Sequence, residues 1–342
     1  MPVHRVPFAA MASTCEVVLS APTLADAQRL AQPGIDEVLR VERTFSRYRP
    51  DSIVSRINAA AGADWVDCDA ETLSLLDFAD HMHQQSGGVF DITSGVLRQA
   101  WNFGQTKTQG EVQGEGPAAA KLPSPEQLAA LLPLVGWAQV QREGTRIRLP
   151  RAGMALDFGG FGKEYAADRA AALLQQTGVQ HGYVNLGGDM RLMGPKPDGA
   201  PWVMGIQHPR ERGQLLATQQ LTTGGLATSG DYERYIEVGG QRYCHLLNPR
   251  TGWPVSHWRT VSVTAPLAVL AGCVATIAML LEADGLAFLH RSGHPFIAVD
   301  HTGQLFTDRP EGGAPTKASP VGAAPPPRMP FAPPATADAP TQ

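Results

Sequence analysis

Apolar residues in the first half of the chain recur mainly at the spacing of helix faces. This spacing predicts an amphipathic helix over residues 24–41, interrupted near Pro33 and Gly34, and a second helix over residues 71–84. The residues expected to face inward from the second helix are Leu73, Leu76, Phe78 and Met82. Residues 15–19 read as a strand before the first helix, and residues 45–52 as a turn after it.

Beyond residue 180 the pattern changes to short strands separated by Gly, Pro or Asp turns. The predicted strands cover residues 183–186, 190–193, 202–207, 214–221, 235–238 and 258–265. An alanine-rich helix is predicted over 267–281, and strands at 296–299 and 304–306 form a closing hairpin. Because strands and helices do not alternate regularly, the pattern predicts an α+β fold with mixed or antiparallel sheets and flanking helices.

The ordered part of the chain is expected to form one domain over residues 1–308. Residues 107–123 are rich in Gly, Gln and Pro and are predicted to be a mobile surface insertion. Residues 309–342 are rich in Pro, Ala and Gly and are predicted to be disordered.

Charge and cysteine content narrow the functional class. The formal net charge of −4 argues against a nucleic-acid-binding protein, which normally has a basic face. The four cysteines lack C-x-x-C spacing and are expected to be buried thiols in a reducing compartment. We find no apolar window long enough for a membrane span and no convincing signal peptide, so the sequence predicts a cytoplasmic protein.

The stretch 155–174 has the pattern of an anion site. Leu156-Asp157-Phe158 reads as a strand end, a run of glycines interrupts it, and a helical pattern follows. Backbone N–H groups and the helix dipole at such a turn favour an anion, and Lys163 adds positive charge. The alternative is an ordinary loop, because the spacing fits neither G-x-G-x-x-G nor a P-loop.

Several other stretches place polar residues among glycines, and each one alone is also compatible with a simple turn. Asp91, for example, would cap a helix, and Asp189 would close a hairpin. The stretches are Ser46-Arg47-Tyr48, residues 87–93, Asn185-Leu186-Gly187-Gly188-Asp189, residues 228–232 and residues 245–252.

Taken together and in this order, these stretches resemble the FAD:protein FMN transferases, the ApbE-type flavin transferases. The matching signatures are Met11, S-x-Y followed by Asp-Ser (Tyr48, Asp51, Ser52), G-x-F-D-x-T (88–93), D-x-G-G-x-x-K (157–163), N-x-G-G-D, S-G-x-Y and H-x-x-x-P-x-T-G (245–252). The resemblance covers roughly residues 8–306 and implies an ApbE-like, T-fold-like architecture.

The resemblance also implies an activity. Such enzymes bind FAD, use Mg²⁺, and transfer FMN to a threonine hydroxyl of a target flavoprotein with release of AMP. By resemblance, His245 is a candidate base for the threonine proton. The residues expected against FAD are Met11, Tyr48, Val89, Phe90, Asp91, Asp157, Lys163, Asp189 and Leu247.

The expected metal site departs from the family pattern. The family usually carries D-A-x-x-T at the start of the last long helix, but here Gly272 stands where that carboxylate is usual. Glu164 stands where members commonly have Gly, and Asn248 where they usually have Asp. Mg²⁺ prefers oxygen ligands, and the thiol of Cys273 is too soft to replace a carboxylate.

Three hypotheses follow for this departure. Backbone carbonyls and Thr276 hold the metal with the phosphates alone, or Glu164 substitutes for the missing carboxylate, or the chain binds flavin without efficient transfer. The positions expected around the metal are Gly160, Glu164, Gly272, Ala275 and Thr276. The alternative functions are therefore a non-catalytic FAD or FMN carrier and an FAD pyrophosphatase that releases FMN and AMP.

Overall fold

The computed structural model describes residues 1–101, 103 and 121–308. Its α-helices are α1 (Leu24–Phe45), α2 (Ile53–Ala59), α3 (Ala70–Gln85), α4 (Pro125–Leu131), α5 (Gly162–Gln176), α6 (Ala268–Leu280) and α7 (Gly285–Ser292). Its strands are β1 (Val3–Ala10), β2 (Ser13–Ser20), β3 (Val66–Asp67), β4 (Gln141–Glu143), β5 (Arg146–Arg148), β6 (Gly182–Leu186), β7 (Asp189–Gly194), β8 (Trp202–Gln207), β9 (Leu215–Leu221), β10 (Gly224–Gly230), β11 (Tyr235–Val238), β12 (Gln241–Cys244), β13 (Trp258–Ala265), β14 (Phe296–Asp300) and β15 (Leu305–Thr307). Short 3₁₀ helices lie at Ile92–Gln99, Leu132–Leu134, Trp137–Gln139 and Glu282–Asp284.

An antiparallel sheet forms the centre of the fold. In the part of the chain that the structure describes, its eight strands follow the order β1-β2-β6-β7-β10-β13-β14-β15. The central strands β6 and β13 are buried along most of their length, because side chains cover both faces of the sheet. The sheet with its flanking helices confirms the predicted α+β fold.

The helices that position the site cover one face of this sheet. Helix α6 packs on β10 and β13, and α5 packs on α1, α6 and β7. Twelve of the thirteen residues of α6 are buried, so this helix lies inside the core between the sheet and α5. The hairpin of β8 and β9 covers the opposite face, where Trp202 stacks edge-on against Tyr183 with ring centroids 5.2 Å apart.

A buried carboxylate fixes α6 to α5. Asp168, on α5, accepts hydrogen bonds from the backbone N–H groups of Ala268 and Val269, each at 2.9 Å. These groups belong to the first turn of α6, which has no side-chain cap of its own. Arg191 lies 3.2 Å from the same carboxylate. The start of α6 is therefore held in place by a residue of the neighbouring helix.

Several sequence predictions need correction. The helix predicted to break near Pro33 is continuous from Leu24 to Phe45. Gly34 lies so close to α5 that an added Cβ would be 2.8 Å from Cδ1 of Leu174, so packing between α1 and α5 carries the helix through the proline. Strand β1, which pairs with β2 from the first residues onward, was not predicted.

The strand predicted at Leu156-Asp157-Phe158 is also wrong. The segment has no regular secondary structure, and its backbone does not pair with a sheet. Instead the Asn58 side chain donates to the carbonyl oxygen of Leu156 at 3.0 Å and accepts from its N–H at 2.7 Å. The N–H of Asp157 donates to the carbonyl oxygen of Ile92 at 2.8 Å.

Other predictions from the sequence can be compared directly with the structure. The strands predicted beyond residue 180, including the closing hairpin, agree with β6–β9, β11 and β13–β15 within a residue or two at most ends. The four cysteines are buried and unpaired. Residues 107–120 of the predicted insertion and the predicted tail (residues 309–342) lie outside the described residues. Among the helices that the structure describes, none has the length and apolar character to cross a membrane.

Candidate functional site

A cleft opens where the end of α6 meets the loops on either side of the 3₁₀ helix Ile92–Gln99. Its wall is formed by Val89, Phe90, Asp91, Ile92, Ser94, Gly95, Arg98, Asp157, Gly160, His245, Leu246, Leu247, Thr276 and Leu280. The predicted site residues in this wall are Val89, Phe90, Asp91, Asp157, Gly160, His245, Leu247 and Thr276. The fold therefore brings four separate stretches of sequence to one cleft.

Asp157 lies in this wall between two arginines. Its Oδ2 is 2.7 Å from Nη1 of Arg47 and 3.4 Å from Nε of Arg98. Its Oδ1 accepts a hydrogen bond from the N–H of Gly159 at 2.8 Å, which shapes the turn that follows. The two guanidinium groups give this part of the cleft a positive charge, which suits an anionic ligand.

The glycine run leads directly into helix α5. Phe161 is fully buried and packs on Phe90 with ring centroids 6.3 Å apart, while Gly160 lies at the cleft against the ring of Phe90. Helix α5 begins at Gly162 without a side-chain cap. The N–H of Gly162 donates to the carbonyl oxygen of Phe158 at 2.7 Å, so an anion at the predicted helix start would have to bind the N–H groups that follow it.

Lys163 makes a close ion pair with Asp189. Its Nζ is 2.6 Å from Oδ2 of Asp189, and the other carboxylate oxygen accepts from the N–H of Thr228 at 3.3 Å. Burial acts to lower the pKa of Lys163, but the nearby carboxylates outweigh it and the pKa is raised. The lysine is therefore charged, and Asp189 compensates much of that charge.

Glu164 follows Lys163 and is 7% exposed. Its Oε2 is buried and has no hydrogen-bond partner in the described part of the chain. An added Cβ at Gly272 would lie 2.4 Å from its Oε1, so the carboxylate is placed directly against α6. Burial, and then the neighbouring Asp189, raise the pKa of Glu164 to about 8.

His245 has the properties of a neutral base. Its Nδ1 is 3.2 Å from the carbonyl oxygen of Arg234, an interaction that places the proton on Nδ1 and leaves a lone pair on Nε2. Burial and the positive charges of Arg98 and Arg234 lower the pKa of His245 to about 3. The imidazole is thus uncharged near neutral pH and able to accept a proton.

Asp91 has a structural role in the wall of the cleft. Its Oδ1 accepts from the N–H and hydroxyl of Thr93 at 2.8 and 2.6 Å, and its Oδ2 accepts from the N–H of Trp137 at 2.8 Å. It caps the 3₁₀ helix, which is the structural role that the sequence analysis gave as the alternative to ligand binding. A ligand at this strip would therefore meet backbone groups and Phe90 more readily than this carboxylate.

The remaining predicted positions are not part of the wall of this cleft. They are Met11, Tyr48, Lys163, Glu164, Asp189, Gly272 and Ala275. Met11 lies in the two-residue turn between β1 and β2, where its φ of 52° and that of Ala12, 54°, are both left-handed. Tyr48 is 76% exposed and its hydroxyl accepts from Nη2 of Arg47 at 2.5 Å. Its ring is therefore accessible to a ligand that extends beyond the cleft.

The sequence profile of the ApbE family matches residues 11–298, most of the chain. This chain belongs to the ApbE family. The match includes every residue named above in the cleft wall and every other predicted site residue, from Met11 to Leu280. Three of the motifs that carried the resemblance, at residues 88–93, 157–163 and 245–252, contribute residues to the wall of the cleft.

Individual ApbE-family proteins support the assignment over nearly the full length. The FAD:protein FMN transferase of Vibrio cholerae serotype O1 is 30% identical over 294 residues, 84% of each chain. The crystal structure of the ApbE protein from Thermotoga maritima superposes with a TM-score of 0.79 at 28% identity, covering 90% of this chain and 97% of that one. The apo form of Pseudomonas stutzeri flavinyl transferase ApbE gives a TM-score of 0.74 at 30% identity, covering 90% and 94%.

Two charged residues of this ApbE-family site were missed from the sequence. Arg98 lies in the cleft wall, and burial lowers its pKa. Glu233 lies near Lys163, and burial raises its pKa to about 7. Their positions gave some signal, since Arg98 follows the G-x-F-D-x-T motif and Glu233 follows Tyr232 of S-G-x-Y. Neither residue type is unusual enough in a loop to be selected without the fold.

Proposed function

We propose that this protein is an FAD:protein FMN transferase. The observation that carries the proposal is the cleft in which the glycine run after Asp157, the basic side chain of Arg98 and the neutral His245 meet. Its relatives with the name FAD:protein FMN transferase support the same reaction. The substrate side is FAD, and the acceptor is a threonine of a target flavoprotein.

The reaction is a displacement at the phosphorus of the FMN half of FAD. The acceptor threonine Oγ forms a bond to this phosphorus, and the bond between phosphorus and the bridging oxygen breaks. The bridging oxygen leaves with AMP and carries the electron pair of the broken bond. The threonine proton goes to Nε2 of His245 and from there to solvent or to AMP. The products are a phosphoester-linked FMN and AMP.

Electrostatics and positioning supply the catalysis that such a displacement requires. The pyrophosphate carries two negative charges, and more charge develops on the leaving phosphate. In this proposal Arg98, the N–H groups at the start of α5 and Lys163 stabilise that charge. Binding of the anion would also offset the positive charges that keep the pKa of His245 low, which makes the imidazole a stronger base in the complex.

The proposed FAD contacts keep the set that the resemblance implied, with two roles refined. They are Met11, Tyr48, Val89, Phe90, Asp91, Asp157, Lys163, Asp189 and Leu247. Asp157 would act by holding Arg47 and Arg98 at the cleft, because both of its oxygens are engaged. Asp189 would act by fixing Lys163.

A divalent cation, Mg²⁺ in this proposal, fits the residues at the junction of α5 and α6. The orphaned buried oxygen of Glu164 is the observation that supports the fit, since a buried carboxylate oxygen without a donor suits a hard cation. Thr276 and the carbonyl oxygens of Gly160 and Ala275 are the other proposed donors, around the position of Gly272. When bound, the cation would neutralise charge on the phosphate oxygens.

One incubation distinguishes the proposed reaction from the two alternatives. The protein is mixed with FAD, Mg²⁺ and a flavin-acceptor domain, beside the same domain with its acceptor threonine changed to alanine. A mass gain of one FMN on the threonine form alone supports transfer. Free FMN and AMP without labelling would instead indicate a pyrophosphatase. Bound FAD without release of AMP would indicate a carrier.

The compartment predicted from the sequence is the cytoplasm, and fractionation of the native cell would test this prediction.

A further inference from the structure

The region behind the cleft contains a cluster of ionisable side chains around Lys163. Lys163 interacts with three carboxylates, those of Asp189, Glu164 and Glu233. Asp189 pairs directly with the lysine at 2.6 Å, and Glu233 also interacts with Arg234. Glu164 interacts with the same lysine, which is already paired, and with its own backbone N–H. A buried carboxylate in this position needs a further positive partner.

The side chain of Glu164 is aimed at a single spot on α6. It is 7% exposed, its Oε2 has no partner among the residues that the structure describes, and its Oε1 occupies the space beside Gly272. A Cβ at Gly272 would lie 2.4 Å from Oε1 and 2.8 Å from both Cδ and Cγ of the glutamate. No side chain at position 272 would fit unless the glutamate moved. Gly272 and Glu164 are thus one packing unit, although they are far apart in sequence.

A second oxygen donor stands on the same helix. Thr276 lies one turn beyond Gly272 on α6 and lines the cleft. Its Oγ1 is 3.0 Å from the hydroxyl of Ser229 on β10. Because either hydroxyl can be the donor, a lone pair of Thr276 is available to a cation. The neighbouring thiol of Cys273 is a soft donor and therefore a poor ligand for a hard cation.

We propose that Glu164 supplies, from helix α5, the carboxylate oxygen of a divalent-cation site shared with Thr276 of α6, and that residue 272 is glycine to make room for it. The proposal rests on the proposed function for the presence of a cation at this site. It assigns the negatively charged ligand to one residue of this chain and explains why position 272 has no side chain. Oxygen donors of this kind select Mg²⁺ or Mn²⁺ over softer metals.

The first test measures cation affinity and not turnover. Mn²⁺ binding to the full chain saturated with FAD is followed by electron paramagnetic resonance of the free ion. Glu164→Gln keeps the shape and removes the charge, and we expect it to weaken Mn²⁺ binding by about tenfold or more. Glu233→Gln is the matched control, since it removes one carboxylate from the same cluster without touching Gly272, and should change the affinity less than about threefold. Equal losses in the two variants, or no loss in Glu164→Gln, would overturn the proposal.

The second test uses the packing unit itself. Gly272→Ala should push the carboxylate aside and weaken Mn²⁺ binding, but should have no further effect in the Glu164→Gln background, because the ligand is already lost there. The exchange variant Glu164→Gly with Gly272→Asp should recover Mn²⁺ binding toward the parent value from the other helix. Additive losses, or an exchange variant that folds and binds no better than Glu164→Gln, would refute the assignment. Thermal unfolding of each variant shows whether it is folded when measured.

Failure of this proposal and failure of the proposed function give different results. A protein that binds Mn²⁺ through Glu164 but labels no acceptor refutes FMN transfer and leaves the ligand assignment standing. A protein that transfers FMN while Glu164→Gln binds Mn²⁺ normally refutes only the ligand assignment.

Discussion

Asp168 offers a sharp test of how helices α5 and α6 are held together, because its carboxylate is buried and charged at once. It accepts two hydrogen bonds of 2.9 Å from the first turn of α6 and has Arg191 at 3.2 Å, yet it is only 7% exposed. Burial outweighs these partners and raises its pKa from 3.8 to about 6. We predict that Asp168→Asn changes the pH dependence of stability in a defined direction.

The sign and size follow from the two pKa values. The folded state holds the proton more tightly than the unfolded state, so the contribution of Asp168 to the unfolding free energy is greatest below pH 3.8. That contribution falls as the pH rises from 3.8 to about 6 and stays low above it. The fall amounts to about 3 kcal/mol, which asparagine cannot show because it does not ionise.

Urea unfolding of the parent and of Asp168→Asn at a series of pH values measures this effect. Only the parent loses stability over this range, so any deficit of the variant should shrink by about 3 kcal/mol between pH 4 and pH 7. Asp69→Asn, at an exposed helix cap, controls for exchanging a capping carboxylate for an amide. A deficit that is constant or grows with pH would show that the ion pair with Arg191 outweighs burial.

Three further predictions concern the cleft and its rim. His245→Gln should slow FMN transfer by about 100- to 10,000-fold while FAD affinity stays close to the parent value, because the base is lost but the binding groups remain; a comparable loss of FAD binding, read by flavin fluorescence, would contradict the role as base. Arg98→Gln should weaken FAD binding by about tenfold, the size of a lost charge-assisted hydrogen bond, and unchanged binding would remove Arg98 from the phosphate site. Ala12→Gly should raise the unfolding free energy by up to about 1 kcal/mol, because φ of 54° strains alanine and not glycine; an unchanged or lower melting temperature would show that the turn is not strained.

The two incorrect predictions from sequence share one cause. Pro33 predicts a break because it removes a helix hydrogen bond, but the contact of Gly34 with Leu174 of α5 carries α1 through it. The run Leu156-Asp157-Phe158 has strand composition, but Asn58 and Ile92 satisfy its backbone instead of a neighbouring strand. In both places tertiary partners overrode a local preference that a sequence pattern records.

The Gly-rich strand β10 was missed for a related reason. Its sequence, GGLATSG, reads as a turn, yet it pairs with both β7 and β13 at the centre of the sheet. Glycine weakens a strand unless another element needs to come close. Here α6 does so, since an added Cβ at Gly225 would lie 2.3 Å from the backbone nitrogen of Ala268.

The sequence by itself determined the fold class, the family and the start of α5, because periodicity and spaced motifs are properties of neighbouring residues. It also named most of the cleft wall, through motifs rich in glycine and polar residues. Only the tertiary structure decided what each side chain does there. Asp157 and Asp189 pair with basic side chains, Asp91 caps a helix, and Glu164 fills the space beside Gly272. Such roles depend on distances between residues far apart in the chain, and the folded arrangement alone sets those distances.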